Sequence, residues 1–194
     1  MSILTIIGKI DFVVYCWGVF VLVGIIASAM SAKRAKERQS WVGRAVTVGF
    51  VVVTFLLLAG VINVWGLNTP IWQGTPVLRI IGDVVTVAGL VTAAWARLSL
   101  GGNWSATITF KEGHELVERG PYRFVRHPMY SGVLLMILGT AVVAGRISGF
   151  VALVIFFLAV WQKLRQEEAL LMKHFPDAYR QYMSRTKALV PFLF

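Results

Sequence analysis

Residues 129–164 read MYSGVLLMILGTAVVAGRISGFVALVIFFLAVWQKL, and only Arg146 and Lys163 among them carry charge. The stretch divides into two apolar blocks, about Met129 to Ala144 and Ile147 to Leu164, separated by Gly145-Arg146. Neither block has the period-2 or period-3.6 stripe of a soluble strand or helix; each is apolar all round, the pattern of a segment surrounded by hydrocarbon. The first block, at about sixteen residues, reaches only ~24 Å as a helix. With the second it predicts a tight helical hairpin turned at Gly145-Arg146.

Outward from this hairpin the same texture repeats. Further blocks run from about Ile10 to Met30, Gly43 to Trp65 and Val77 to Leu98. Runs near twenty apolar residues match a hydrocarbon core of ~30 Å at ~1.5 Å per residue. The first block is longer than the roughly 7–15 residues of a signal-peptide core, and only Lys9 precedes it as a basic residue, so it reads as a span. Hydrophobic residues make up 57% of the 194 and charged residues only 14%, which fits one membrane domain rather than a soluble one. The expected fold class is all-α integral membrane with five transmembrane helices, the last two a short hairpin. Residues 1–98 form a three-span N-terminal region, and residues 99–194 supply a loop, the hairpin and an amphipathic tail.

The net charge of +10 follows the same layout. With the N-terminus outside, the inside segments are the loop at 33–44, the loop at 97–126 and the tail from 163. Sixteen of the nineteen Lys and Arg residues then lie inside, and only Lys9, Arg79 and Arg146 outside, as the positive-inside rule requires. Trp41, Trp65, Trp72, Trp95 and Trp161 fall near expected span ends, where indoles prefer to sit. The basic residues make no single stripe interleaved with aromatics, so nucleic-acid binding is not expected. The lone Cys16 excludes an internal disulfide, the three histidines are too scattered for a zinc motif, and no metal is expected. There is no Gly-x-Ser-x-Gly elbow, and Gly101-Gly102 lacks the context of a phosphate loop. Mid-span charges are essentially absent, which argues against transport.

Polar residues without a topological reason cluster at Gly101 to Ser105, His114 to Tyr122, Arg126 to Tyr130 and Lys163 to Glu168, all on the inside face. Pro128 suits the first turn of a helix, placing His127 at its cap and Tyr130 on the same face. Unpaired amides at such a helix start favour an anionic group, although a capped, solvated start satisfies the same residues. Lys163 and Glu167, four apart, are read either as a boundary ion pair or as ligand contacts. Glu115 and Glu118 are expected to be solvated, and Arg185-Thr186 either interfacial or substrate-facing.

Taken in order, Gly102-Asn103-Trp104-Ser105, His114 to Val117, Gly120-Pro121-Tyr122, Arg126-His127-Pro128-Met129-Tyr130 with Gly132, Glu167-Glu168, Phe175 to Tyr179, and Arg185-Thr186 with Leu189-Val190-Pro191 resemble the isoprenylcysteine carboxyl methyltransferase family and its relatives among phospholipid methyltransferases. The resemblance implies a cytoplasmic-side pocket for S-adenosylmethionine built from the C-terminal half. His114, Glu115, Leu116 and Val117 would line the nucleoside end with Tyr122 beside it, and Thr107 would be a further polar cofactor contact. His127, Pro128, Met129 and Tyr130 would hold the amino-acid portion, and Glu167 would hydrogen-bond the cofactor. Lys163 and Arg185 would face the substrate. The family's substrate arginine falls on Lys163, a departure that replaces a planar fork with a point charge.

The implied reaction is methyl transfer to a lipid-like or prenylated acceptor: a prenylated peptide, phospholipid amine, quinone-like lipid or small apolar acid. A carboxylate acceptor needs no general base. An amine or thiol does, and Glu167, Glu168 or Tyr130 are the candidates. The alternatives are a membrane NADPH-dependent reductase of the sterol-reductase type, which shares the His-Pro-x-Tyr element, and a non-enzymatic membrane scaffold.

Overall fold

A computed structural model describes residues 3–29, 35–38, 41–101, 109–111 and 116–191. In chain order the helices are α1 (Ile3–Ala29), α2 (Trp41–Leu58), α3 (Pro76–Leu100), α4 (Pro128–Ala144), α5 (Ile147–His174) and α6 (Pro176–Arg185), with a 3-10 turn at Gly120–Arg123. Two short strands, β1 (Ala35–Arg38) and β2 (Thr109–Lys111), pair antiparallel and tie the loop after α1 to the loop after α3. This ribbon was not foreseen. Its strands are too short and too polar to stand out beside apolar blocks at least four times their length.

The expected start of α4 is observed, and α3 carries a start signal of its own. Thr75 caps α3, its hydroxyl accepting from the Leu78 amide at 3.3 Å, and Pro76 occupies the first turn. Pro128 opens α4, with His127 at the cap position. Gly145 ends α4 in the left-handed region at φ 62°, and α5 begins two residues later, so the hairpin turns at Gly145-Arg146.

Two boundaries depart from expectation. The second block leaves the helix after Leu58, because Gly60 takes a positive φ of 72° and the Asn68 side chain donates from Nδ2 to its carbonyl at 2.7 Å. The residues from there to Gly74 wrap the hairpin turn instead of extending α2. They supply the partners that the turn lacks: the Ile147 and Ser148 amides donate to the carbonyls of Thr69 and Leu67, and the Trp72 indole donates to that of Val142. The last helix of the hairpin is longer than its apolar run. α5 continues ten residues past Leu164, to His174, carrying a polar extension beyond the apolar part.

The central contact is between α3 and α4, which run antiparallel at backbone distance. A Cβ on Gly89 would lie 2.5 Å from the Gly132 carbonyl, and one on Gly139 would lie 2.4 Å from the Gly82 carbonyl. Glycines seven residues apart on each helix therefore face one another, the small-residue packing that lets helices approach without a water-driven collapse. The opposite face of α3 is the reverse of a soluble helix. Gly82, Thr86, Gly89 and Ala93 point inward, whereas Val77, Ile80, Val84, Val91 and Leu98 are 59–65% exposed. Within the fold, Leu57, Leu58, Val133, Ile137, Phe156, Val160, Leu164 and Leu189 form the apolar cluster that joins α2, α4, α5 and the C-terminal tail. α3 and α5 are each long and apolar enough to cross a membrane.

Candidate active site

The polar extension of α5 returns to the start of α4, and that meeting creates the site. His127 is 7% exposed, and its ring lies between two carboxylates: Nε2 is 3.2 Å from Glu168 Oε1, and Nδ1 is 3.7 Å from Glu167 Oε2. Tyr130, one turn into α4, donates its hydroxyl to Glu167 Oε1 at 2.7 Å, and its ring stacks on His127 at 5.8 Å between centroids. Helical spacing explains the pairing, since residues three apart on α4 meet adjacent residues on α5. Lys163, one turn before Glu167, holds its ammonium 5.5 Å from the centre of the Tyr130 ring.

Glu168 is fixed from both sides. Arg126 Nε donates to Oε1 at 2.7 Å, while His127 approaches the same oxygen. Both members of the Arg126–Glu168 pair are largely buried, which strengthens a charge-assisted bond and raises the cost of removing either partner. Glu167 has a Tyr130 hydroxyl and the His127 ring beside it, with no guanidinium in its described contacts. The adjacent carboxylates are thus unequal. Glu168 is an anchor, and Glu167 is the one held by a neutral hydroxyl.

The α4 start has no side-chain cap. His127 takes the cap position, but its ring turns toward α5, so the Met129 and Tyr130 amides have no cap acceptor on the helix. Two N–H donors and the positive end of α4 therefore stand beside two carboxylates. Tyr122, in the 3-10 turn ahead of α4, is buried, and its phenol is pushed well up, first by burial and then by the Glu167 carboxylate. It remains a neutral hydroxyl at physiological pH.

Of the residues singled out in the sequence, Tyr122, His127, Pro128, Met129, Tyr130, Lys163 and Glu167 converge here. Leu116 and Val117 are half-buried in the segment leading into the Gly120 turn. Thr107, His114 and Glu115 lie outside the described residues. Arg185 has other partners: it pairs with Glu118 at the surface and lies over the Tyr182 ring at 5.9 Å. Glu118 is the surface charge expected, with Arg185 as its partner. Sequence reasoning also passed over Tyr182, whose hydroxyl donates to the Tyr122 carbonyl at 2.6 Å. The available signal was modest: Tyr179 and Tyr182 are the apolar residues on one side of an otherwise polar helix.

Comparison with known proteins places this constellation. The family described as phospholipid methyltransferase matches residues 77–178, just over half of the chain. The chain belongs to the phospholipid methyltransferase family. The match spans α3 to the start of α6, so it contains both the glycine-lined crossing and the His127–Glu167 cluster. Among relatives, the protein-S-isoprenylcysteine O-methyltransferase of Schizosaccharomyces pombe is 34% identical over 104 residues, covering 50% of this chain and 43% of the relative. The cobalt-zinc-cadmium resistance protein CzcN of Cupriavidus metallidurans is 30% identical over 145 residues, covering 73% of this chain and 61% of that protein. The solved structure of the eukaryotic intramembrane Ras methyltransferase ICMT matches with a TM-score of 0.53 at 22% identity, over 80% of this chain and 54% of that one, a likeness of fold. The chain spans about half the length of the curated isoprenylcysteine methyltransferases it matches. The reductase and scaffold readings gain no support from these family relatives.

Proposed function

We propose that this family member is an integral membrane methyltransferase that uses S-adenosylmethionine to methylate a lipid-like acceptor. The membrane part of the reading rests on the inverted surface of α3, where large apolar side chains face outward and small ones inward. Lipid is the solvent in which such a surface costs nothing. Five spans with the N-terminus outside put the α4 start and the α5 extension on the cytoplasmic face, in keeping with the charge distribution of the sequence.

The observation that carries the cofactor is the juxtaposition of uncapped α4 amides with the Glu167 and Glu168 carboxylates around His127. The amino-acid end of S-adenosylmethionine is a zwitterion, and it needs donors for a carboxylate beside acceptors for an ammonium. Here the donors belong to the first turn of α4, and the acceptors to the stretch of α5 that meets His127 and Tyr130. Met129 and Tyr130 would supply the amide donors and Glu167 the acceptor, while Leu116, Val117 and Tyr122 would flank the nucleoside together with Thr107, His114 and Glu115. When bound, the cofactor supplies an electrophilic methyl group on a sulfonium.

The protein's contribution is then mainly orientation, because displacement at a methyl carbon requires alignment of donor and acceptor. Tyr130 holds Glu167 in place through its hydroxyl, and Glu168, locked by Arg126, holds the His127 ring. Lys163 provides a point charge for an anionic acceptor and its developing interactions. A carboxylate acceptor, as in a prenylated cysteine, would need nothing more. An amine or thiol acceptor would pass a proton to Glu167, the carboxylate not engaged by Arg126. Apolar acceptors would enter sideways between helices, with the polar donor entering from the cytoplasmic side.

The test is transfer of a tritiated methyl group from S-adenosylmethionine to native membrane lipids and to a prenylated cysteine, with NADPH-dependent reduction as the control. Labelling of an extractable apolar product is expected, falling roughly 100-fold in His127→Ala, since a misplaced first turn costs that much in alignment. Equal labelling by both proteins would remove the site from the reaction.

A further inference from the structure

Behind the cluster lies a set of contacts for which the proposed reaction has no role. After α6, residues Thr186 to Leu189 run alongside the segment that leads into α4, in a parallel bridge between Val125 and Lys187. The Arg126 amide donates to the Lys187 carbonyl at 2.8 Å, and the His127 amide donates to the Ala188 carbonyl at 3.0 Å. Further along, the Ser131 hydroxyl donates to the Leu189 carbonyl at 2.5 Å. On the other side, the Tyr182 hydroxyl donates to the Tyr122 carbonyl at 2.6 Å and lies 3.4 Å from that of Val125. Tyr182 is 2% exposed, and Tyr179, 6.0 Å away ring to ring, is fully buried. Every one of these bonds ends on the backbone of residues 122–131, which carries Tyr122, His127 and Tyr130, or on a side chain rooted in it.

An irregular segment has no ladder of its own to hold its carbonyls and amides, so its geometry is set by whatever satisfies them. Here the C-terminal tail does so. We propose that α6 and the tail act as a strap, with Tyr182 as its positioning residue, that fixes the 122–131 backbone in the geometry the methyl donor requires. Tyr182 does not touch the His127–Glu167 cluster in any described contact; it acts through the Tyr122 carbonyl. The proposal rests on the methyltransferase reading, because the donor is what the fixed backbone receives.

The experiment compares wild type, Tyr182→Phe, Ser131→Ala and Tyr179→Phe in lipid nanodiscs, by hydrogen–deuterium exchange and by calorimetric titration with S-adenosylhomocysteine. Tyr182→Phe keeps the ring and deletes one hydrogen bond, so the fold should persist with a melting temperature lowered by only about 2–4 °C. Exchange of the Arg126 and His127 amides should accelerate by about fivefold to tenfold, the weight of one ordinary hydrogen bond, and the dissociation constant should rise by a similar factor. Ser131→Ala, which loosens the same segment from the far end of the strap, should act in the same direction. Tyr179→Phe, which removes a buried hydroxyl with no hydrogen-bond partner among the described residues, should change neither readout. Unchanged amide exchange in both Tyr182→Phe and Ser131→Ala overturns the strap. So does faster exchange with unaltered S-adenosylhomocysteine affinity, or an equal effect from Tyr179→Phe. Absence of S-adenosylhomocysteine binding in the wild type overturns the methyltransferase reading, and the strap's role with it, while the exchange data still report whether the contacts hold the segment.

Discussion

Glu167 and Glu168 show how much two adjacent positions can differ in purpose. Glu168 takes the guanidinium and the imidazole on one oxygen, whereas Glu167 takes a phenol. Removing Arg126 leaves a largely buried carboxylate without its cation, so Arg126→Ala should destabilise the protein by about 3 kcal/mol, the lower end for a broken buried pair because Glu168 retains some solvent. Thermal unfolding in detergent checks this. Glu168→Gln in the same background should recover part of the loss, giving a coupling that two independent sites would not show. At Glu167 the expectation reverses. Glu167→Gln leaves no orphaned charge, so stability should change little while S-adenosylhomocysteine affinity falls by about tenfold or more, as calorimetry would record. His127, Tyr130 and Glu167 were legible in the sequence through spacing and resemblance. The division of labour between the two glutamates was not, because it depends on which side chain at the α4 start each carboxylate meets, Arg126 or Tyr130.

Among elements, the α3–α4 crossing fixes the position of the site, since α4 begins at His127 and its axis is set by the helix it lies against. Gly89 and Gly132 face each other's backbone, so adding one methyl group at Gly89 drives Cβ into the Gly132 carbonyl. Gly89→Ala should therefore cost about 1–3 kcal/mol through overpacking. Gly49, in the middle of α2, has open space where its Cβ would go, and Gly49→Ala should be stabilising by about 0.5–1 kcal/mol, the ordinary gain for replacing a helical glycine. Opposite signs from one substitution type, read by unfolding of the two variants, would identify packing as the cause. The sequence indicated that helices exist here and where α3 and α4 begin. It did not reveal their partnership, because glycines spaced by seven look like neutral small residues until the facing helix is known. The early end of α2 was hidden for a related reason: Val61, Ile62 and Val64 continue the apolar run, and only the turn at Gly60 and its contacts with Asn68 and Arg146 divert the chain.

The whole molecule joins an apolar exterior to a polar cluster at one end. That arrangement predicts sidedness. With Cys16→Ser as background, a thiol placed by Arg180→Cys on α6 should react with an impermeant maleimide only from the cytoplasmic side, and one placed by Gly74→Cys only from the opposite side. Labelling of both from one side would break the five-span topology. The proposed reaction depends on the α4 start, the 3-10 turn and the α5 extension enclosing a methyl donor. Ultraviolet cross-linking of methyl-tritiated S-adenosylmethionine to the membrane-embedded protein, followed by peptide mapping, tests it most directly. Label should be confined to peptides from residues 107–130 and 163–168, and excess S-adenosylhomocysteine should abolish it. Label on α1 or α2, or label that S-adenosylhomocysteine does not displace, would contradict it.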